Sequence, residues 1–162
     1  MTHADKPGAV FDCNIFFQAT RNESGPAGTA LRLLDQGAFS LFVSGAIVEE
    51  AKETFNDPRV RAKNARLTDT VVDALFDHLK TKATLVDEIP DTFTYERDPD
   101  DAKYINLALA VGAKYLVSRD KDLLDLMEDE AFRKNFPNLT ILDPVAFLHE
   151  LRNAESGESP SE

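Results

Sequence analysis

Short apolar runs alternate with helix-spaced patterns along almost the whole chain. AVFDC (9–13) is a compact apolar run ending in polar residues, and it predicts a buried strand. IFFQATR (15–21) and AGTALRLLDQG (27–37) follow. In the second, Ala30, Leu31 and Leu34 take helical spacing before a stop at Gly37. FSLFVS (39–44) predicts a second strand, and GAIVEEAKETF (45–55) a helix ending before the turn signal Asn56-Asp57-Pro58. A long helix is expected over 60–80, with Leu67, Val71, Ala74, Leu75 and Leu79 on one face, and ATLVDEI (83–89) predicts strand three. DPDDAKYINLALAVGA (98–113) carries a helix start, with Asp98 as N-cap, Pro99 at the first helical position and Asp101 at N3. Leu107, Ala108 and Val111 continue that helix to a stop at Gly112. YLVS (115–118) predicts strand four, and DKDLLDL (120–126) opens another helix. LTIL (139–142) and DPVAFLHEL (143–151) predict strand five and a closing helix.

Strands separated by helices over the full length predict an α/β fold of three layers, α/β/α. A central parallel sheet of about five strands carries helices on both faces. With 162 residues, 43% of them hydrophobic and eleven Phe, the chain can bury one core. One domain is expected over 1–152, followed by a disordered acidic tail, NAESGESPSE (153–162). The single Cys13 excludes an internal disulfide and fits a reducing compartment. The start lacks a basic region followed by a long apolar one, so no signal peptide is expected. The longest apolar stretch (39–48) is broken by Ser and Gly and is too short to cross a bilayer. The expectation is a soluble cytoplasmic protein with no membrane partner.

Charge complicates the picture. The formal net charge is −11, from 29 acidic and 18 basic residues, which counts against a nucleic-acid binder. Bound divalent cations would cancel part of that charge where a phosphate sits. There is also one basic run, RVRAKNAR (59–66), with Arg59, Arg61, Lys63 and Arg66. It reads either as a solvated helix face or as a contact for RNA.

In an open parallel sheet, ligands bind outside the carboxyl ends of the strands. The informative acids gather at that edge. Asp12 closes strand one, and Glu50 lies about two turns into the helix after strand two. Asp98, Asp100 and Asp101 open the helix before strand four, and Asp120 and Asp122 follow that strand. Acids delivered to one rim suit a hard divalent cation such as Mg²⁺, which takes oxygen ligands. The bland alternatives stay open: Asp98 reads as a cap, and Asp101 as a capping-box acid favoured by the helix dipole. Asp12 differs, because an acid embedded in AVFDCNIFF is costly to bury without a partner.

The segments VFDCNIFF, SGAIVEEAKETFNDP, RDPDDAKYINLALAVGAKYLVSRDKDLLDL and LTILDPVAFLHEL together resemble a PIN domain. They are most similar to the subgroup of toxin components of toxin–antitoxin pairs, related to VapC toxins. The resemblance covers roughly residues 9–151, with four motifs in order. It implies a ribonuclease with a Mg²⁺ or Mn²⁺ centre, whose catalytic acids fall on Asp12, Glu50, Asp101 and Asp120. Glu50 is preferred to Glu49 by its spacing of six from Ser44. Asp98 and Asp100 are nearby alternates to Asp101; Asp122 joins the four as a metal ligand, and Asn14, Asp98 and Ser118 take supporting roles. For Asn14 and Ser118 the neutral reading is turn hydrogen bonding. The resemblance also implies an RNA substrate, a cognate antitoxin protein and a homodimer.

Those residues suit metal-assisted phosphodiester hydrolysis, with no side-chain nucleophile. Other chemistries fit poorly. His3, His78 and His149 lack zinc-site spacing. Cys13 reads as an inert buried thiol at a strand end. A haloacid-dehalogenase-like phosphatase needs D-x-D, whereas this chain has Asp12-Cys13-Asn14. The competing class is a PIN-fold interaction module with weak or absent nuclease activity, which the acidic charge favours.

Overall fold

A computed structural model of the chain describes residues 6–155. Five short strands form its centre: β1 (Gly8–Phe11), β2 (Ser40–Ser44), β3 (Ala83–Val86), β4 (Tyr115–Val117) and β5 (Thr140–Leu142). All neighbours pair parallel, in the order β3-β2-β1-β4-β5. The apolar runs explain the arrangement, since Ala9, Val10 and Phe11 of β1 are all fully buried. A strand covered on both faces reads as a continuous hydrophobic run.

The helices are α1 (Cys13–Arg21), α2 (Pro26–Asp35), α3 (Gly45–Asn56), α4 (Pro58–Lys63), α5 (Asp69–Lys82), α6 (Ala102–Val111), α7 (Lys121–Leu124), α8 (Glu130–Asn135) and α9 (Pro144–Glu155). The connection from β1 to β2 crosses the sheet in one direction, and that from β3 to β4 crosses in the other. Right-handed crossovers therefore put α1 and α2 on one face and α6 on the opposite one. α2 and α9 pack together, while α6 lies against β1, β2 and β4. The three-layer α/β/α fold is as the alternation predicts.

Aromatic rings fill the layer under α9. The Phe11 ring lies 5.7 Å from each of Phe16, Phe39 and Phe147. Each such ring contributes about 1.5–3 kcal/mol by leaving water. Gly28 allows α2 to approach the preceding turn, because a Cβ there would stand 2.2 Å from the Glu23 carbonyl oxygen.

Several elements differ from expectation. The helix over 60–80 is two helices, α4 and α5, broken at 64–68. Asn64 folds its side chain back onto the Val60 carbonyl, and Thr68 caps α5 by accepting from the Val71 amide. The inward face is consequently Val72, Leu75 and Leu79, with Val71 and Ala74 exposed. Strand three stops at Val86, and 87–98 form a long loop. Asp98 caps nothing with its side chain; Pro99–Asp101 form a 3-10 turn and α6 begins at Ala102. Asp101 thus stands at the N-cap of α6 instead of N3, again with no capping bond. Cys13 opens α1 instead of ending a strand, although its thiol is buried as expected. α8 was not foreseen. α9 extends through Glu155, so the first three residues of the expected tail are helical, while 156–162 and His3 lie outside the described residues. Among the described residues no helix is long and apolar enough to cross a membrane.

The loop 87–98, which leads to Asp98, is fastened to the core at Phe93. The Phe93 ring packs on Phe132 and Phe136. Its backbone is held at both groups by the buried Asn106 carboxamide: Phe93 N donates to Oδ1 (2.7 Å), and Nδ2 donates to Phe93 O (3.0 Å). One side chain on α6 thereby serves as the neighbouring strand that the loop lacks.

Candidate metal centre

The strand order reverses direction between β1 and β4, the switch point where ligands of open α/β sheets bind. Asp12 follows β1 there, and Ser118 and Asp120 follow β4. Asp12 is buried and caps α1, accepting from the Asn14 amide at Oδ1 (3.0 Å). Ser118 is fully buried and donates from Oγ to Asp12 Oδ2 (2.7 Å) while accepting from the Asp120 amide (2.9 Å). That hydroxyl joins the two acids. Burial raises the Asp12 pKa against the lowering effect of its two hydrogen bonds, with the charges of Asp120 and Glu50 adding to the rise.

Asp98, Asp101 and Asp120 each present one carboxylate oxygen within 4.8 Å of the others. The 3-10 turn after Asp98 brings Asp98 and Asp101 together, and the α7 N-cap supplies Asp120. Asp101 is buried, and its Oδ2 has no hydrogen-bond partner. Burial, then the charges of Asp120 and Asp98, push its pKa up to about 8. Among the described residues none of Asp12, Asp98, Asp101 or Asp120 forms an ion pair. Converging carboxylates around a buried, unpartnered oxygen are a donor set that fits a hard divalent cation.

Glu50 stands outside this triad. Its Oε1 accepts from the Tyr104 hydroxyl (2.5 Å) and lies 3.2 Å from Lys103 Nζ. Tyr104 is buried and also accepts from the Cys13 amide (3.2 Å), which ties α3, α6 and the start of α1 together. Burial, the Asp12 charge and the bond to Glu50 hold the Tyr104 pKa far above the tyrosine range, so it remains a donor. Burial and the charges of Glu50 and Asp12 push the Cys13 thiol up to about 11, which keeps it protonated and unreactive.

Asp122 was expected beside the acids, but it turns away. Its Oδ1 pairs with Arg97 Nε (2.6 Å), and its carbonyl accepts from Tyr95. Asp98, expected as a cap, a supporting residue or an alternate to Asp101, stands in the triad beside Asp101. Asn14 contributes its backbone amide to Asp12, and its side chain lines a neighbouring cleft. The basic run is partly spent: Arg59 pairs with Asp57, and Arg61 binds the Phe55 carbonyl, Asn56 and Asp69. Lys63 and Arg66 remain exposed.

Sequence reasoning missed Lys103, Tyr104 and Asn106. Tyr104 had a signal, since it falls three residues after Asp101 and so shares its helical face. Asn106 had none, because its partner is the backbone of a loop with no pattern.

A family model described as the PIN domain matches residues 8–122. The fold is similar to that of a chain in the crystal structure of VapBC2 from Rickettsia felis bound to a DNA fragment from their promoter. The TM-score is 0.53 at 16% identity, covering 84% of this chain and 98% of that one. At that identity the likeness speaks for the fold. No curated protein matches the sequence. With the matched segment running from β1 to the start of α7 and taking in all the acids of the switch point, the chain belongs to the PIN domain family.

Proposed function

We propose that this chain is a Mg²⁺- or Mn²⁺-dependent ribonuclease and the toxin component of a toxin–antitoxin pair. The observation that carries the reading is the buried, unpartnered Asp101 oxygen amid the carboxyls of Asp98 and Asp120. Asp98, Asp101 and Asp120 hold the cation, and Asp12, oriented by Ser118, completes the set directly or through water. A bound cation supplies an activated water and a counter-charge for the oxygens of the scissile phosphodiester. Glu50 is anchored through Oε1 by Tyr104 and Lys103, and its Oε2 orients the attacking water. Because Lys103 already offsets the Glu50 charge, we read one cation and not two. Asp122 acts through its backbone, whose amide donates to Asp120 Oδ1 (2.8 Å) and fixes that carboxylate.

Family membership supports nuclease chemistry, and the VapBC2 likeness supports an antitoxin partner. A homodimer and a cytoplasmic setting complete the proposal. The test is incubation of purified protein with several structured RNAs in Mn²⁺, Mg²⁺ or EDTA. EDTA-sensitive cleavage, abolished in Asp12→Asn, is expected; cleavage at the wild-type rate by that variant sinks the scheme. Light scattering checks the dimer, and co-expression with the product of the adjacent reading frame checks the antitoxin. The second reading, an interaction module without catalysis, is favoured by the net charge of −11. It predicts a stable complex with that product and uncut RNA.

A further inference from the structure

Two clefts of similar volume flank the acid rim, and they differ in charge. One, of about 700 Å³, runs along the end of β3 and the loop 87–98, where Asp87, Glu88, Asp91 and Glu96 line it. Its one lining cation, Lys103, is already engaged by Glu50 and the Asp100 carbonyl. A polyanion meets repulsion there. The other, of about 670 Å³, is lined by Arg21, Arg119, Asn14, Gln18 and Asn22, and Asp120 of the acid triad forms part of its wall. It therefore opens directly on the candidate metal centre.

Neither arginine has a carboxylate partner among the described residues. Arg21 lies over the Phe17 ring at 5.7 Å, and Arg119 Nη1 donates to Gln18 Oε1 at 2.7 Å. Both contacts orient a guanidinium without neutralising it. In a chain with eleven more acids than cations, two uncompensated arginines beside the acid triad are unusual company. Guanidinium groups bind phosphate oxygens in a planar fork, and the amides beside them supply neutral hydrogen bonds. The first turn of α2, capped by Gly25 with no side chain, opens on the same cleft and adds positive partial charge.

We propose that the Arg21–Arg119 cleft seats the sugar–phosphate backbone of a single-stranded polynucleotide, adjoining the phosphodiester at the acid triad. The proposal rests on the nuclease reading above. It moves the polynucleotide contact from the 59–66 run, where two cations are internally paired, to residues about a hundred positions apart in sequence.

The test measures binding of a fluorescein-labelled single-stranded RNA 12-mer to the full chain by anisotropy, in EDTA, across a salt series. A DNA of the same sequence forms a second arm. The double variant Arg21→Gln, Arg119→Gln is expected to weaken binding at least roughly tenfold and to lower the salt slope by about 1.4, two single-strand phosphate contacts. The charge-matched control Arg133→Gln, Lys134→Gln on α8 keeps wild-type binding. A retained Mn²⁺-induced thermal shift in the double variant shows that its acids still stand. Undiminished binding of both RNA and DNA by that variant overturns the cleft, as does the absence of binding by the wild type. Wild-type RNA bound through the arginines but left uncut in Mn²⁺ overturns the nuclease reading alone. Wild-type cleavage with binding indifferent to both arginines overturns the cleft alone. If only the DNA arm responds to the substitution, the cleft stands and the RNA assignment falls.

Discussion

Asp120 and Asp122 sit two residues apart at the start of the same short helix, yet they belong to different electrostatic worlds. Asp122 and Asp125 face outward and are paired by Arg97, with Lys121 also on Asp125. Hydrogen bonds from Arg97 and Lys121 hold the Asp125 pKa below the usual carboxylate value. Asp120 faces Asp98 and Asp101, none of which forms an ion pair among the described residues, and Asp101 responds with a pKa pushed up to about 8. Compensated acids stabilise the fold as it stands. Uncompensated acids cost stability and keep the capacity to bind a cation. Proximity in sequence does not tell the two apart.

The largest effect is expected at Asp101. Asp101→Asn removes a ligand together with its buried charge, so RNA cleavage should fall by at least about 100-fold and the Mn²⁺ thermal shift should vanish. The same variant should fold as well as wild type in EDTA, whereas Asp125→Asn should leave the Mn²⁺ shift intact. A persistent shift in Asp101→Asn would erase the distinction between the two groups.

The pH dependence tests the same contrast without a substitution. The folded pKa of Asp101 lies above its unfolded value of about 3.9. The folded chain therefore holds that proton more tightly, and its contribution to stability is present below about pH 4 and lost as pH rises through about 8. Cation binding must displace the proton, so apparent Mn²⁺ affinity should rise from about pH 6 to about 8 and then level off. Calorimetry across that range checks the sign. An affinity flat with pH would place the cation away from Asp101.

Ser118→Ala separates orientation from ligation. It leaves Asp12 buried with one hydrogen bond fewer, at a cost of about 1–3 kcal/mol in urea unfolding. Cleavage should fall by roughly 10–100-fold, because Asp12 and the Asp120 backbone lose their common tether. Tyr104→Phe is the mildest of the set. It frees Glu50 Oε1 and the Cys13 amide, lowering kcat by roughly tenfold while leaving the Mn²⁺ shift in place. Loss of the shift in Tyr104→Phe would instead put Glu50 among the cation's ligands.

Much of the fold was legible because its signals are local. Short apolar runs marked each strand, and Gly112, at φ 66°, marked the end of α6. The misreadings have equally local causes. The split between α4 and α5 rests on Asn64 and Thr68 bonding to nearby backbone groups, which a continuous hydrophobic pattern hides. Asp98 carries the residue type and position of a helix cap, and only the 3-10 geometry of Pro99–Asp101 turns it toward Asp101 and Asp120. In the acid set, Asp12 and Asp120 were readable from strand ends, and Asp101 came with the family motif. Glu50 is expected there from the family motif, but its tie to Tyr104 and Lys103 has no signal in the sequence.

From sequence alone came the alternation of strands and helices, the rim to which the acids are delivered, and the family to which the chain belongs. These depend on residue type and spacing, which are properties of the chain as a string. Only the tertiary structure decided which carboxylates lack a partner, which cleft carries free arginines, and that Asn106 must hold the loop leading to Asp98. Charge compensation is settled by neighbours in space, here across a separation of 28 residues for Arg97 and Asp125. A linear pattern cannot record which of two nearby acids a distant arginine will reach.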